Sequence, residues 1–363
     1  MKCVPALPQR RTPGGPHVSV YTFDPLQDPR WEEFCQRAAG ASIFHTRGWL
    51  TTLQRTYGYQ PVVFTTSAPG GALDNGVVFC RVSSWLTGRR MISLPFADHC
   101  EPLVACPEAQ QEISAALQKT LRADRLKHIE LRPLSAGVLS EFPFRQDKTF
   151  YFHWLSLRPS LEDIFRRFHK DSIQRRVRKA ERVGLVYEQG RSAALLQKFY
   201  RMIAITRRRH HLPPQPIEWF RNLIACVGEK LTIHVASHRQ QPVAGILTLH
   251  YRDTVVYKYG GSDAQHHNLG GMPLLLWKAI EAARRDGAQH FDFGRSDKDN
   301  EGLVRFKDQW GSTRTVLTYG KLSNAPERAT RSSPFADAAQ RLFFYMPDFL
   351  SAAAGRLLYR HIG

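Results

Sequence analysis

Twice along this chain a run of helical periodicity gives way to alternating apolar strands and then to one more helix and strand. The first pass has a strand at 17–23, helices at 28–39 and 46–57, and strands at 61–66, 76–84 and 91–94. A helix at 108–123 and strands at 127–131 and 149–157 close it. The second pass opens on Ser160, a helix N-cap before Leu161, Ile164, Phe165 and Phe168 on one face. That periodicity runs on, with a break near Asp171, through Ile173, Val177 and Ala180 to a stop at Gly184. A strand at 185–187 and helices at 193–206 and 217–227 precede three strands, 231–237, 243–250 and 254–259. The last two strands are joined by the tight Arg252-Asp253 turn. A helix at 273–286, a strand at 289–293, a short helix at 303–310 and a strand at 315–321 complete the pass.

Charge and composition narrow the partners. The chain has 363 residues, enough for two domains, and a net charge of +19, which calls for an anionic partner. It contains no run of 18 apolar residues, and its basic N-terminus lacks the apolar core of a signal peptide, so a cytosolic protein is expected. Six cysteines without a CxxC pair read as reduced thiols, and His210-His211 and His266-His267 lack the spacing of a metal site, so no metal is expected. Residues 1–16, rich in Pro, Gly and Arg, are expected to be flexible. Residues 323–363 read as a linker and an amphipathic helical tail, either docked on the second domain or resting on the inner face of an anionic membrane.

Helices, an antiparallel meander, then helix and strand is the order found in an acyl-CoA N-acyltransferase (GNAT-like) domain. The expected fold class is therefore α/β (α+β), with tandem GNAT-like domains at 17–158 and 159–322.

The most informative stretch is Phe291-Asp292-Phe293-Gly294-Arg295-Ser296, followed by Val304 to Gly311. A strand ends at Asp292, a Gly-containing turn follows, and the next helix brings Arg305, Lys307 and the aromatic pair Phe306 and Trp310 at four-residue spacing. An acid, an arginine and a lysine at a strand end suit an anionic or carbonyl-bearing ligand.

These residues, with Arg175 to Gly184, Tyr257 to Ser262, Asn268, Trp277 and Gly287, resemble the FemABX family of peptidoglycan bridge-forming aminoacyltransferases. Closer still are its relatives near exopolysaccharide and protein-sorting gene sets. The likeness is weaker in the first half, through Trp49, Tyr57-Gly58 and Leu94-Pro95-Phe96. It implies amide formation by acyl or aminoacyl transfer, with aminoacyl-tRNA or acyl-CoA as donor and no tightly bound cofactor. The acceptor it implies is an amine on a phosphorylated or lipid-linked envelope precursor. In the family pattern a Phe-Lys pair lies at the reacting end of the donor, and Phe306-Lys307 matches it. Lys307 would then steady the oxyanion while Phe306 stacks. The same likeness places Tyr259, Asn268 and Trp310 among donor- or substrate-binding residues.

Other roles stay open on residue chemistry. Asp292 could take the amine's proton, orient Arg295 or cap its turn. Arg295 suits a phosphate or carboxylate fork, or a structural ion pair. Gly270-Gly271 could cradle a donor phosphate, but Pro273 removes one N–H donor, which tilts the reading away from an ordinary CoA site. The basic run holding Arg175, Arg176 and Lys179 could guide tRNA or precursor phosphates, or be a solvated helix face. Asp98-His99-Cys100-Glu101 admits a Cys-His nucleophile, although sequence neighbours seldom converge. The rivals are an acyl-CoA N-acyltransferase for a small amine and a non-catalytic basic binding module.

Overall fold

A computed structural model describes residues 19–135, 137–324 and 358–361. Its first half runs β1 (Tyr21–Phe23), α1 (Arg30–Arg37), α2 (Arg47–Tyr57), β2 (Gln60–Thr65), β3 (Val77–Ser84), β4 (Gly88–Ile92), α3 (Pro107–Ala123), β5 (His128–Leu131), α4 (Val138–Glu141) and β6 (Arg145–Ser156). The second runs α5 (Leu161–Arg167), α6 (Arg175–Arg182), β7 (Val186–Gly190), α7 (Ala193–Arg209), α8 (Ile217–Val227), β8 (Leu231–His238), β9 (Gln241–Tyr251) and β10 (Thr254–Ser262). It ends with α9 (Gly271–Arg285), β11 (His290–Asp297), α10 (Glu301–Asp308) and β12 (Thr313–Leu322).

The local signals behave as their chemistry requires. The Ser160 hydroxyl accepts the Asp163 N–H at 3.1 Å and starts α5. The break expected near Asp171 is a π-helical turn, Lys170–Gln174, between α5 and α6. Strand β6 begins four residues earlier than its apolar pattern suggests. There Arg145 and Gln146 pair with Lys321 and Gly320 of β12, so a distant strand supplies the hydrogen bonds that local hydrophobicity does not announce.

The twelve strands of the described residues form one mixed sheet, ordered β1-β2-β3-β4-β5-β12-β6-β11-β10-β9-β8-β7. Only β4 with β5 and β10 with β11 pair in parallel, at matching places in the two passes. The two passes exchange their last strands. β6 lies between β11 and β12, and β12 lies between β5 and β6. The hydrophobic core also crosses between them. Trp49 of α2 meets Trp219 of α8 edge-on at 5.4 Å, within a cluster drawn from α1, α2, α7 and α8. A second cluster under α6 and α9 fills the opposite face of the second pass.

Among the described residues no helix is long and apolar enough to cross a membrane. Residues 1–16 and most of the tail lie outside the described residues. The described turn at 358–361 does not rest on the second pass alone. Tyr59 donates its hydroxyl to the Tyr359 carbonyl at 2.7 Å, and Arg90 and Thr87 donate to the His361 carbonyl at 2.7 and 2.9 Å. Tyr359 donates in turn to the Pro213 carbonyl at 3.0 Å.

Candidate active site

Strands β10 and β11 pair only from Thr254 with His290 to Val256 with Asp292, and then part. Each carries a β-bulge at the parting, between Tyr257 and Tyr259 on β10 and between Asp292 and Gly294 on β11. A bulge breaks the alternation of side chains and re-aims its neighbours. Here it directs Lys258, Asp292 and the Gly294-Arg295 carbonyls towards one another. The strand does not end at Asp292, as expected from the following turn residues; β11 continues to Asp297 because β6 pairs with it throughout.

The wedge between the parting strands holds a cluster of buried charge. Lys258, with its side chain only 5% exposed, reaches Asp98 at 3.2 Å. Phe44, Trp49 and Tyr259 present their rings to its ammonium at 5.2 to 5.9 Å. Lys307 of α10 is equally buried and donates to the carbonyls of Gly294 and Arg295 at 2.9 and 2.8 Å. Burial pulls the Lys307 ammonium down to about 8, against the pull of Asp98 and Asp292. Burial pushes the Asp98 carboxyl up, but Lys258, Arg295 and Lys307 outweigh it and hold the group below the usual carboxylate range. Three cations (Lys258, Arg295, Lys307) face two acids (Asp98, Asp292), so the formal charges of these five side chains sum to one net positive.

Asp292 is pinned at both oxygens. Oδ1 accepts the Gly294 N–H at 2.5 Å, and Oδ2 lies 3.3 Å from His99 Nε2. Gly294 sits at φ +72, where a Cβ would come within 2.7 Å of Asp98 Oδ2, so only glycine lets the bulge close on the Asp98 carboxylate.

Sequence reasoning weighed His99 only as a partner for Cys100, and the structure gives it a different neighbour. Its loop is held under strain: Leu94 and Phe96 both have positive φ, at 68° and 61°. Partly buried Arg132 offsets that cost by donating to the Leu94 and Ala97 carbonyls, both at 3.1 Å, while Tyr319 donates its hydroxyl to the Asp98 carbonyl at 2.6 Å. His99 does not pair with Cys100. Cys100 Sγ lies 3.4 Å from His45 Nε2, and burial raises its thiol well above the usual range. His99 turns away, to an acid 193 positions along the chain.

Beside the cluster opens a cavity of about 850 Å³ over the paired stretch of β10 and β11. Phe152 and Trp154 of β6, Tyr251 of β9 and residues 39–43 of the first half enclose it, with His99 and Asp292 in its wall. This volume suits a small-molecule site.

The expected site residues divide into three groups. Asp292, Arg295 and Lys307 come together. Of these only Asp292 lines the cavity, and the Lys307 ammonium is directed at backbone carbonyls rather than into open space. Arg295 is paired with Asp98 at 3.9 Å rather than with Asp292, and its guanidinium covers the Phe150 ring at 4.1 Å. Tyr259, Phe306 and Trp310 belong to the core. Tyr259 accepts the Trp219 indole N–H at 2.9 Å, and Trp310 packs on Phe168, Phe293 and Phe306. Asn268, Gly270, Gly271, Arg175, Arg176 and Lys179 form a third group away from the cavity, where α6 meets the turn into α9. Gly270, at φ +79, lies so close to α6 that a Cβ would sit 2.4 Å from the Arg176 carbonyl, and a Cβ on Gly271 would press on Ala244 and Val243. Both glycines are therefore accounted for by packing. Arg175, Arg176 and Lys179 are exposed, and Arg175 pairs with Asp171 at 2.7 Å.

Residues 167–308 match the family model of the acetyltransferase (GNAT) domain. That segment supplies β10, β11, α10 and, of the charged and titratable groups in the wedge, Lys258, Asp292, Arg295 and Lys307, while Asp98 and His99 come from the first half. Among solved structures the chain is similar to FemX (TM-score 0.63, 13% identity, covering 79% of this chain and 94% of that one). It is also similar to L-PGS from Bacillus licheniformis (TM-score 0.51, 15% identity, 88% and 98%). A third likeness is to a tandem GNAT protein from the clavulanic acid biosynthesis pathway (TM-score 0.50, 9% identity, 85% and 100%). A comparison with curated protein sequences gave no match. The expected fold class, α/β with the tandem GNAT arrangement, is the one observed.

Proposed function

We propose that this chain is an N-acyltransferase that joins an acyl or aminoacyl group to an amine of a cell-envelope precursor, of peptidoglycan or exopolysaccharide. One observation carries the reading. The cavity lies over the paired stretch of β10 and β11 and reaches Asp292, where the two strands part, and it is walled by a buried carboxylate–imidazole pair beside a net positive cluster. Amide formation needs a deprotonated amine and stabilisation of negative charge on the attacked carbonyl. The cluster supplies the second through its field: Lys307 braces the β11 bulge, and Lys258 and Arg295 add positive charge behind Asp98. This replaces the direct oxyanion contact expected of Lys307. Phe152, Trp154 and Tyr251 offer apolar faces to the carbon body of the acceptor.

The donor is aminoacyl-tRNA or acyl-CoA. Packing of Gly270 and Gly271, with Pro273 in the first turn of α9, leaves a poorer phosphate cradle than CoA enzymes use, which favours the aminoacyl ester. Exposed Arg175, Arg176 and Lys179 on α6 would then meet the backbone of the nucleic acid. The reaction is placed in the cytosol, at the inner face of the membrane when the acceptor is lipid-linked.

The test offers purified protein labelled acetyl-CoA or charged tRNA, with nucleotide-linked and lipid-linked muropeptide amines, and detects the amide by mass spectrometry. Thr315, exposed and lining the cavity, is replaced in parallel (Thr315→Trp) to fill it. Transfer should fall at least about tenfold with the unfolding transition unmoved. Absence of amide from every donor, or a filled cavity without effect, would defeat the reading.

A further inference from the structure

We infer that His99 is the base that removes the proton from the acceptor ammonium, and that Asp292 is the positioning residue that holds its ring. The inference rests on the acyl-transfer reading and goes past it, because the active site becomes composite. The base comes from the first half of the chain, and its carboxylate partner from the GNAT domain 193 positions away.

Four features place His99 in that role. It lines the cavity, with its Nε2 3.3 Å from Asp292 Oδ2. Asp292 cannot swing away, since its other oxygen holds the Gly294 N–H. The ring stands edge-on between Phe44 and Phe152, at 5.4 and 5.5 Å, so its plane is set as well as its distance. With Nε2 donating to the carboxylate, Nδ1 is left as the acceptor, and it has no hydrogen-bond partner among the described residues. A carboxylate fixing the tautomer of an imidazole whose second nitrogen stays open is the arrangement general bases require.

The other candidates are committed elsewhere. Both nitrogens of His45 are engaged, by the Ser42 N–H and the Glu101 carbonyl. His153 Nε2 pairs with Asp308 behind the sheet. His290 lines the cavity but stacks edge-on against Trp154 at 5.4 Å and has no carboxylate partner among the described residues. Charged or titratable groups around His99 are Asp292 from β11, His45 from the turn before α2, Asp98 beside it, Lys258 from β10, Arg295 from β11 and Lys307 from α10.

The step balances as follows. His99 Nδ1 takes one proton from R–NH3+, and the freed lone pair closes the new C–N bond on the donor carbonyl. The donor C–S or C–O bond breaks. The second nitrogen proton leaves with the departing thiolate or alkoxide, and His99 returns its proton to water in the cavity.

The test compares kcat, KM and the pH profile of kcat/KM for the wild type, His99→Gln, His99→Ala and Asp292→Asn. His99→Gln should lower kcat about 10²- to 10⁴-fold with donor KM little changed, and the acidic limb of the profile should vanish. Added imidazole should restore His99→Ala in proportion to its neutral fraction. Asp292→Asn should lower kcat about 10- to 100-fold yet keep a titrating limb, because the base remains. Retention of wild-type kcat and the same acidic limb in His99→Gln would overturn the role of His99 while leaving acyl transfer intact. Should the variants fail to fold, a wild-type profile flat on its acidic side overturns it equally. A wild type that forms no amide at all would remove both this inference and the reading beneath it.

Discussion

Lys307 shows how one side chain can hold up a site without touching the reacting atoms. Two carbonyls take its N–H donors, and two acids draw it towards the charged form, yet burial still lowers its pKa to about 8. The sign of the resulting pH dependence follows from proton counting. Above pH 8 the folded state binds fewer protons here than the unfolded state, so stability attributable to Lys307 rises with pH until the unfolded chain also deprotonates. Below pH 8 both states are protonated and the burial penalty is fully present. Wild type should therefore gain on Lys307→Met between about pH 8 and pH 10, by about 1–3 kcal/mol at about 1.4 kcal/mol per pKa unit. Denaturant unfolding of both proteins at pH 7, 9 and 10 measures the difference; a constant difference would mean that the ammonium is well solvated.

At the scale of elements, the site depends on where β11 stops being regular. The bulge between Asp292 and Gly294 pins the carboxylate and turns out the two carbonyls that Lys307 caps. Gly294→Ala would force a Cβ into a left-handed conformation and against Asp98, itself tied to Lys258. We expect a loss of about 2–3 kcal/mol in stability and a larger proportional loss of transfer activity than at Thr313→Ala, an exposed position on β12, which β6 separates from β11. Thermal unfolding alongside the amide assay checks both, and equal effects at the two positions would remove the bulge from the mechanism. The glycine and the acid were legible in the sequence as a strand-end motif. The bulge itself was not, because it is defined by register against β6 and no feature of residues 289–297 states which strand lies alongside.

For the whole molecule, the exchanged strands decide how it unfolds. β6 of the first pass has both its partners in the second, and β12 of the second has both of its partners in the first. The aromatic core around Trp49, Tyr57, Phe96 and Trp219 is likewise drawn from both. Neither pass can open without unpairing the other, so the chain should unfold in one cooperative transition, with calorimetric and van't Hoff enthalpies in agreement. Two resolved transitions in scanning calorimetry would show that the passes are energetically independent. The same interlock explains why His99 and Asp292 can meet rigidly: the strand beside Asp292 is β6, from the half that carries His99.

Periodicity, caps and turn residues are local properties, so the sequence alone determined the order of elements and the α/β class. It also determined the start of α5 at Ser160 and the nearness of Asp292, Arg295 and Lys307, which meet at a bulge within β11 and not at a strand end. Tertiary structure alone decided what those residues face. Pairing partners, bulge register and burial depend on which chain segments meet, up to 193 positions apart for His99 and Asp292, and those relations turned Tyr259 and Trp310 into core, bound Lys307 to carbonyls and brought His99 to Asp292. A side chain's chemistry is written in its own atoms, but its task is set by the neighbours that exclude water from it.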